Sequence, residues 1–289
     1  MKLPALDYVR PQSLAEAIAC LRAAGGTAKL LSGGQSLMPT LAFRLANPSL
    51  LVDLGGVPGL DRIEQGPTGE LVVGARVRWV DLERSALVAS AHPLTAAALE
   101  HVAHYPIRNR GTVGGSLAHA DPAAEWPGLC VACDALIDVL GPDGLSQIRA
   151  ADFLLGPLST VLADDQIITA IHLPQWPVAR RWAFQEFARR RGDFALAGVY
   201  VFHDLDADAR MTDVHVAVIG ACHRAHRLCD VEQMLEGERA STALFDAAAT
   251  QAAAQVDPPN DIHGSAAYRR GLVRTLLARA LAQASARAY

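Results

Sequence analysis

Apolar Leu14, Ala17, Ile18 and Leu21 recur at helical spacing behind Ser13, and Glu16 stands three residues after that serine. The pattern predicts a capped helix over 14–24, ended by Gly25-Gly26. Residues 28–31 then read as a short strand, 36–45 as a second helical stretch and 50–54 as a second strand. This order makes a small α/β unit with a glycine-rich loop at the end of its first strand. A second unit follows the turn-rich Gly55-Gly56-Val57-Pro58-Gly59, with strands predicted at 71–75, 135–140 and 166–173 and helices at 80–89 and 94–104. Pro174 and Pro177 resist both helix and central strand, so they mark a linker. Beyond them, 198–204 and 212–219 read as strands, and 225–235, 240–255 and 264–287 as helices. Three units result: 1–54, 55–174 and 178–289.

With 289 residues there is enough chain for several cores, and 51% hydrophobic against 19% charged residues is a globular composition. A net charge of −4 leaves no electrostatic footprint for nucleic acid or an anionic membrane, and Arg189-Arg190-Arg191 is too short to supply one. No nucleic-acid partner is expected. The opening MKLPALDYVRPQS lacks an apolar leader, and the apolar run at 194–202 is too short for a membrane span. A cytoplasmic chain is expected. The cysteines (Cys20, Cys130, Cys133, Cys222 and Cys229) are odd in number and scattered, unlike a secreted disulfide framework.

The candidate chemistry lies in two similar segments, Ser32-Gly33-Gly34-Gln35-Ser36-Leu37 and Thr112-Val113-Gly114-Gly115-Ser116-Leu117. Paired glycines let the backbone turn through positive φ and let a ligand approach the amides. Successive N–H groups then make a nest for an anion, most often a phosphate. Ser32, Ser36, Thr112 and Ser116 add hydroxyls. One such loop is an ordinary tight turn; two, each read as ending a strand in adjacent units, would hold the diphosphate of a dinucleotide between them. Neither fits G-x-G-x-x-G or G-x-x-x-x-G-K-[ST], which excludes the usual dinucleotide and nucleotide loops.

The stretches SGGQSLMPTLAFRLANPSLLVDL and YPIRNRGTVGGSLAHADPAAEWP, with ARRRGDFALAG and HGSAAYRRGLVRTLLARAL further on, resemble the FAD-binding medium subunits of the molybdenum hydroxylases. That family includes xanthine dehydrogenase, aerobic carbon monoxide dehydrogenase and dehydrogenases of quinoline, nicotine and related N-heterocycles. The resemblance implies an α+β chain: two small α/β subdomains of the vanillyl-alcohol-oxidase (PCMH-type) FAD-binding fold, then a C-terminal domain with a small antiparallel sheet and helices. It implies FAD contacts at Leu31, Ser32, Gly33, Gly34, Gln35, Ser36 and Leu37 in the first loop and at Thr112, Val113, Gly114, Gly115 and Ser116 in the second. Val102 and Ile168 would lie against the flavin, and the Glu125 carboxylate would hold ribose hydroxyls. Four positions depart from the family: Ser116 replaces Asn, Glu125 replaces Asp, Glu186 stands where Lys is usual (Gln185 if the register slips by one), and Phe194 replaces a tyrosine. Such changes would tune flavin affinity or potential.

By the same resemblance the chain is the electron-transfer flavoprotein of a three-component dehydrogenase. Its partners would be a small [2Fe-2S] iron–sulfur subunit and a large molybdopterin subunit, in a heterotrimer or its dimer. LMPTLAFRLANPSLLVDL leans toward the N-heterocycle or aromatic branch. The electron acceptor stays open between NAD, a quinone, oxygen and another carrier. Two rivals stand beside this reading: a self-sufficient FAD oxidase, which needs a general base at the flavin, and a scaffold subunit with a decayed flavin site.

Other motifs read as structure. Cys130 and Cys133 are two small buried residues, with no second pair to complete a metal site. The pairs His101/His104 and His223/His226 have no placed carboxylate, so no metal is expected. His119 lies close enough to the second loop to touch the cofactor or a partner, Asp121 caps the turn at Pro122, and Tyr105 is loop packing or a flavin neighbour. No nucleophile–base pair emerges, which suits a protein whose chemistry belongs to its cofactor.

Overall fold

The computed structural model describes residues 3–287. Its first unit contains β1 (Asp7–Val9), α1 (Leu14–Ala23), β2 (Ala28–Leu31), α2 (Leu37–Ala42) and β3 (Leu50–Asp53). The Ser13 side chain accepts from the Glu16 N–H at 3.1 Å, and the Glu16 carboxylate accepts from the Gln12 N–H at 2.8 Å. The capping box therefore closes one residue earlier than its usual form. Ala17, Ile18 and Leu21 turn inward onto a parallel sheet of order β1-β3-β2.

The second unit holds β4 (Ile63–Gln65), β5 (Leu71–Gly74), α3 (Trp79–Glu83), α4 (Ala86–Ala91), α5 (Pro93–Leu99), α6 (Tyr105–Arg108), α7 (Val113–His119) and α8 (Glu125–Ala132). It continues through β6 (Leu136–Gly141), β7 (Gly144–Arg149), α9 (Ala150–Phe153), β8 (Leu154–Gly156), β9 (Ser159–Thr160) and β10 (Ile167–Leu173). The five strands of its main sheet run in the order β4-β5-β10-β6-β7, each antiparallel to its neighbours. The helix expected at 80–89 is broken in two because the Ser85 side chain accepts from the Val88 N–H and starts a new helix. The helix expected at 94–104 ends at Leu99, before Ala103 takes φ 47°.

The C-terminal unit has β11 (Arg181–Phe187), β12 (Ala197–Leu205), β13 (Met211–Ile219) and β14 (His226–Arg227), then α10 (Cys229–Leu235), α11 (Thr242–Gln255) and α12 (Ala266–Ala286). Its four-stranded sheet is antiparallel in chain order. One face packs on α11 and α12. The other carries Phe184, Tyr200, Phe202 and Ile219 into the same core as Trp79, Trp126 and Leu129 of the second unit. Coverage on both faces explains why β12 is an apolar run rather than an alternating one. A side chain at Gly128 of α8 would stand 2.3 Å from Ile219 and 2.9 Å from Tyr200, so only glycine permits this helix to lie so close to β13. Within the proline-bounded linker, the Trp176 ring packs at 4.5 Å from His92 and 5.1 Å from Phe202.

Candidate functional site

The first glycine loop joins β2 to α2. The Gln35 side-chain amide donates to the Gly33 carbonyl at 3.1 Å, and the Met38 and Thr40 N–H groups donate to the carbonyls of Gly34 and Ser36. These bonds turn the loop's carbonyls inward. Among the described residues, the N–H groups of Gly33, Gly34, Gln35 and Ser36 donate to no atom of the chain. Four successive free donors in a half-buried loop form an anion nest, and Gly34 supplies the positive φ of 74° that the turn requires.

The second segment is built differently. It does not end a strand; Thr112 is the N-cap of α7, and the glycines occupy the helix's first turn. Its amides are already engaged: Val113 N–H donates to Val77, Gly114 N–H to Ala75 and Ser116 N–H to Thr112, while Gly115 N–H reaches the Thr112 hydroxyl at 3.3 Å. Successive free amides are therefore a feature of the first loop and not of the second segment. The second segment was misread because paired glycines allow a loop but do not demand one; here Gly114 serves close packing, since a Cβ on it would lie 2.6 Å from that of Ala75. What this segment offers outward is exposed Gly115 and half-buried Ser116.

The two segments touch. Ser32 Oγ and Thr112 Oγ1 are 3.0 Å apart, and a Cβ on Gly33 would stand 2.2 Å from the Arg110 carbonyl oxygen. The first loop thus rests on the backbone of Arg110 and Gly111, two positions not singled out from the sequence; Gly111, itself pressed against Trp79, was the available signal. Leu31 and Leu37 flank the loop and are half-buried.

Val102 and Ile168 belong to the shared core of the second unit. Ile168 lies at a bulge in β10, and the carbonyl of the next residue, Thr169, accepts from Ala75 N–H, whose own carbonyl accepts from Gly114. Ile168 is therefore close to the second segment. Val102 precedes the left-handed Ala103, against which the turn at Gly192 of the C-terminal unit packs.

Glu125 begins α8 and is only 5% exposed. Burial, with the Glu186 charge adding to it, pushes its carboxyl up to about 8, which favours the neutral acid over the carboxylate. A neutral acid at this position could donate one hydrogen bond as well as accept others. Its main-chain carbonyl accepts from the Tyr200 hydroxyl at 2.8 Å. The Glu186 side chain is 2% exposed, its Oε1 lies 3.7 Å from His101 Nδ1, and its Oε2 has no partner among the described residues. The Phe184 ring links this corner, stacking on Tyr200 and meeting the edge of His101. Phe194 is exposed, while His119 in the last turn of α7 is half-buried. Asp121 does cap the turn, accepting from Ala123 N–H at 2.8 Å. Cys130 and Cys133 are buried free thiols, and no cluster of three or more metal-binding side chains occurs among the described residues. Nor is any described helix long and apolar enough to cross a membrane.

Two family models divide the chain. Residues 4–176 match the FAD binding domain in molybdopterin dehydrogenase, and residues 182–284 match the carbon monoxide dehydrogenase flavoprotein C-terminal domain. The chain belongs to the FAD-binding medium subunits of the molybdenum hydroxylases. This medium subunit is 44% identical over 288 residues to the nicotine 6-hydroxylase medium subunit of Paenarthrobacter nicotinovorans, covering 99% of this chain and 100% of that one. Carbon monoxide dehydrogenase from Hydrogenophaga pseudoflava, in a form lacking the Mo-pyranopterin moiety of its cofactor, superimposes with a TM-score of 0.96 at 33% identity, over 100% of both chains. Quinoline 2-oxidoreductase from Pseudomonas putida 86 gives 0.93 at 36% identity, over 99% of this chain and 98% of that one. The medium subunit is thus part of an oxidoreductase, with FAD as its cofactor.

Proposed function

We propose that this medium subunit takes electrons from an iron–sulfur subunit and passes them to an external acceptor, within a cytoplasmic complex whose large molybdopterin subunit hydroxylates an N-heterocyclic or aromatic compound. The observation that carries the flavin part is the row of four free N–H groups in the first loop, which suits the diphosphate of FAD and leaves no role in internal structure for those donors. FAD supplies the redox chemistry, accepting electrons singly and releasing them in pairs. The chain's own residues bind and orient it. Gly33, Gly34, Gln35 and Ser36 would hold the diphosphate, while Ser32 and Thr112 tie the loop to the second segment and Ser116 adds a hydroxyl at its rim. Val102 and Ile168 would present aliphatic surface, and Glu125 would hydrogen-bond a ribose hydroxyl. The substrate class rests on the likeness to the nicotine 6-hydroxylase medium subunit, whose identity of 44% exceeds the 34% to the carbon monoxide dehydrogenase medium chain of Hydrogenophaga pseudoflava.

The test is spectroscopic. The purified chain should carry flavin absorption bands that an N-heterocycle such as nicotine or quinoline does not bleach. Bleaching should begin when the iron–sulfur and molybdopterin subunits are added. Bleaching by a small substrate with the chain alone would replace this reading with the self-sufficient oxidase.

A further inference from the structure

The C-terminal unit has a hollow that the flavin loops do not use. It measures about 510 Å³ and lies between the start of β11, the β12–β13 turn and the end of α12. Arg181, His203, Asp208, Arg239 and Ser285 supply its polar lining. Several of these groups are unsatisfied. His203 is 0% exposed, and its Nδ1 donates to the Asp204 carbonyl at 3.0 Å, so its Nε2 carries a lone pair. Among the described residues that Nε2 has no partner, and neither has the Ser285 hydroxyl. Burial holds the imidazole below its usual pKa, which keeps the ring neutral. The Arg181 guanidinium spends one N–H on the Ser285 carbonyl. That of Arg239 has no partner among the described residues. The lining carries two guanidiniums against a single carboxylate, Asp208, a positive balance.

A second hollow of about 410 Å³ adjoins the first, sharing Ala240 and Ser285 with it. Its floor is Phe245 of α11 with Ala278 and Ala282 of α12, and its one charge is Asp246. The 14-residue helix α11 starts at the junction, capped by Ser241, and adds the positive end of its dipole there. The two hollows form one trough with a cationic mouth and an apolar floor. Its size is that of a small-molecule site rather than a single ion. Asp246 disfavours an anion at the apolar end and so fixes the polarity of the ligand.

We propose that this trough binds a free amphiphilic carboxylic acid: its carboxylate lies between Arg181 and Arg239, and its aromatic or branched body covers Phe245, Ala278 and Ala282. The site is separate from the flavin loops, so it stands whether or not the electron-transfer reading does.

Titration calorimetry on the full FAD-loaded chain tests it, with 3-phenylpropionate, its neutral amide and inorganic phosphate as probes. The acid should bind one to one, and the amide about tenfold or more weakly, as loss of a charge-assisted contact requires. Arg239→Gln should weaken the acid by about tenfold, since this side chain holds nothing else among the described residues. Ala282→Trp should abolish binding by filling the floor. Unchanged flavin absorption and melting temperature would show that both variants fold. Equal affinity for the amide, equal affinity for phosphate, or indifference to both substitutions would overturn the proposal. So would absence of saturable heat with the acid, including the case in which a peptide bearing a free C-terminus binds instead.

Discussion

Ser32 Oγ and Thr112 Oγ1 meet at 3.0 Å, and this hydroxyl pair is a side-chain bond between the two glycine segments. Thr112 also caps α7, so its hydroxyl serves the loop and the helix together. Ser32→Ala should weaken FAD about tenfold, near the value of one hydrogen bond. Thr112→Val should weaken it further and remove about 1 kcal/mol of stability with the cap. The double variant should fall short of the sum, because both substitutions break the same contact. Equilibrium dialysis against FAD measures all three; strict additivity would mean that the bond does not organise the site.

The glycines should differ in tolerance. A methyl group at Gly33 would meet the Arg110 carbonyl at 2.2 Å, backbone that cannot swing aside, whereas one at Gly115 would meet only the Thr112 hydroxyl at 2.8 Å. Gly33→Ala is therefore expected to cost about 2–3 kcal/mol in denaturant unfolding and to lose FAD. Gly115→Ala should cost under about 1 kcal/mol, a helical residue gaining part of what the cap loses. Equal costs would contradict the loop-on-backbone packing.

Glu125 makes stability fall as pH rises. Its carboxyl ionises near 4.5 when unfolded and near 8 when folded. The stabilisation from keeping the acid neutral is complete below about 4.5 and declines through the interval up to about 8, at no more than about 1.4 kcal/mol per pH unit. Glu125→Gln keeps a neutral side chain of the same shape and should remove that slope. Parallel urea midpoints for the two proteins between about pH 5 and 8 would show that Glu125 is ionised in the fold.

His92 works in the opposite direction. Its ring is buried against Trp176, Nδ1 is 2.9 Å from the Thr95 hydroxyl, and burial drives its pKa from 6.5 to about 3. The unfolded chain takes up a proton here below 6.5 while the fold refuses it until about 3, so stability is full above 6.5 and drains away as pH falls. His92→Leu should flatten the acid side of the melting-temperature profile, whatever it does to absolute stability. An unchanged acid limb would place the loss elsewhere.

The regular elements were legible where burial is one-sided and caps are local. The helix at 14–24, the strand at 28–31 and the long helices near the C-terminus lie within a residue or two of their predicted bounds. The short edge strands β1 and β4 were missed, because three residues carry no readable period. So was β11, whose Trp182-Ala183-Phe184 run is buried without alternation because both faces of the sheet are covered. For the site, composition and spacing located both glycine segments. They did not reveal that one leaves its amides free while the other spends them on Val77, Ala75 and Thr112, since those acceptors are distant in sequence. The upward shift of the Glu125 carboxyl is hidden from sequence for a similar reason: the Glu186 that adds to the effect of burial comes from another unit.

The close seat of Gly128 against Ile219 and Tyr200 bears on how this polypeptide can be dissected. A truncation at the proline-bounded linker would strip α8 of the sheet it lies on and leave Trp126 and Leu129 facing water. The flavin-holding half is then not a transferable cassette: cut free, it should precipitate rather than bind cofactor.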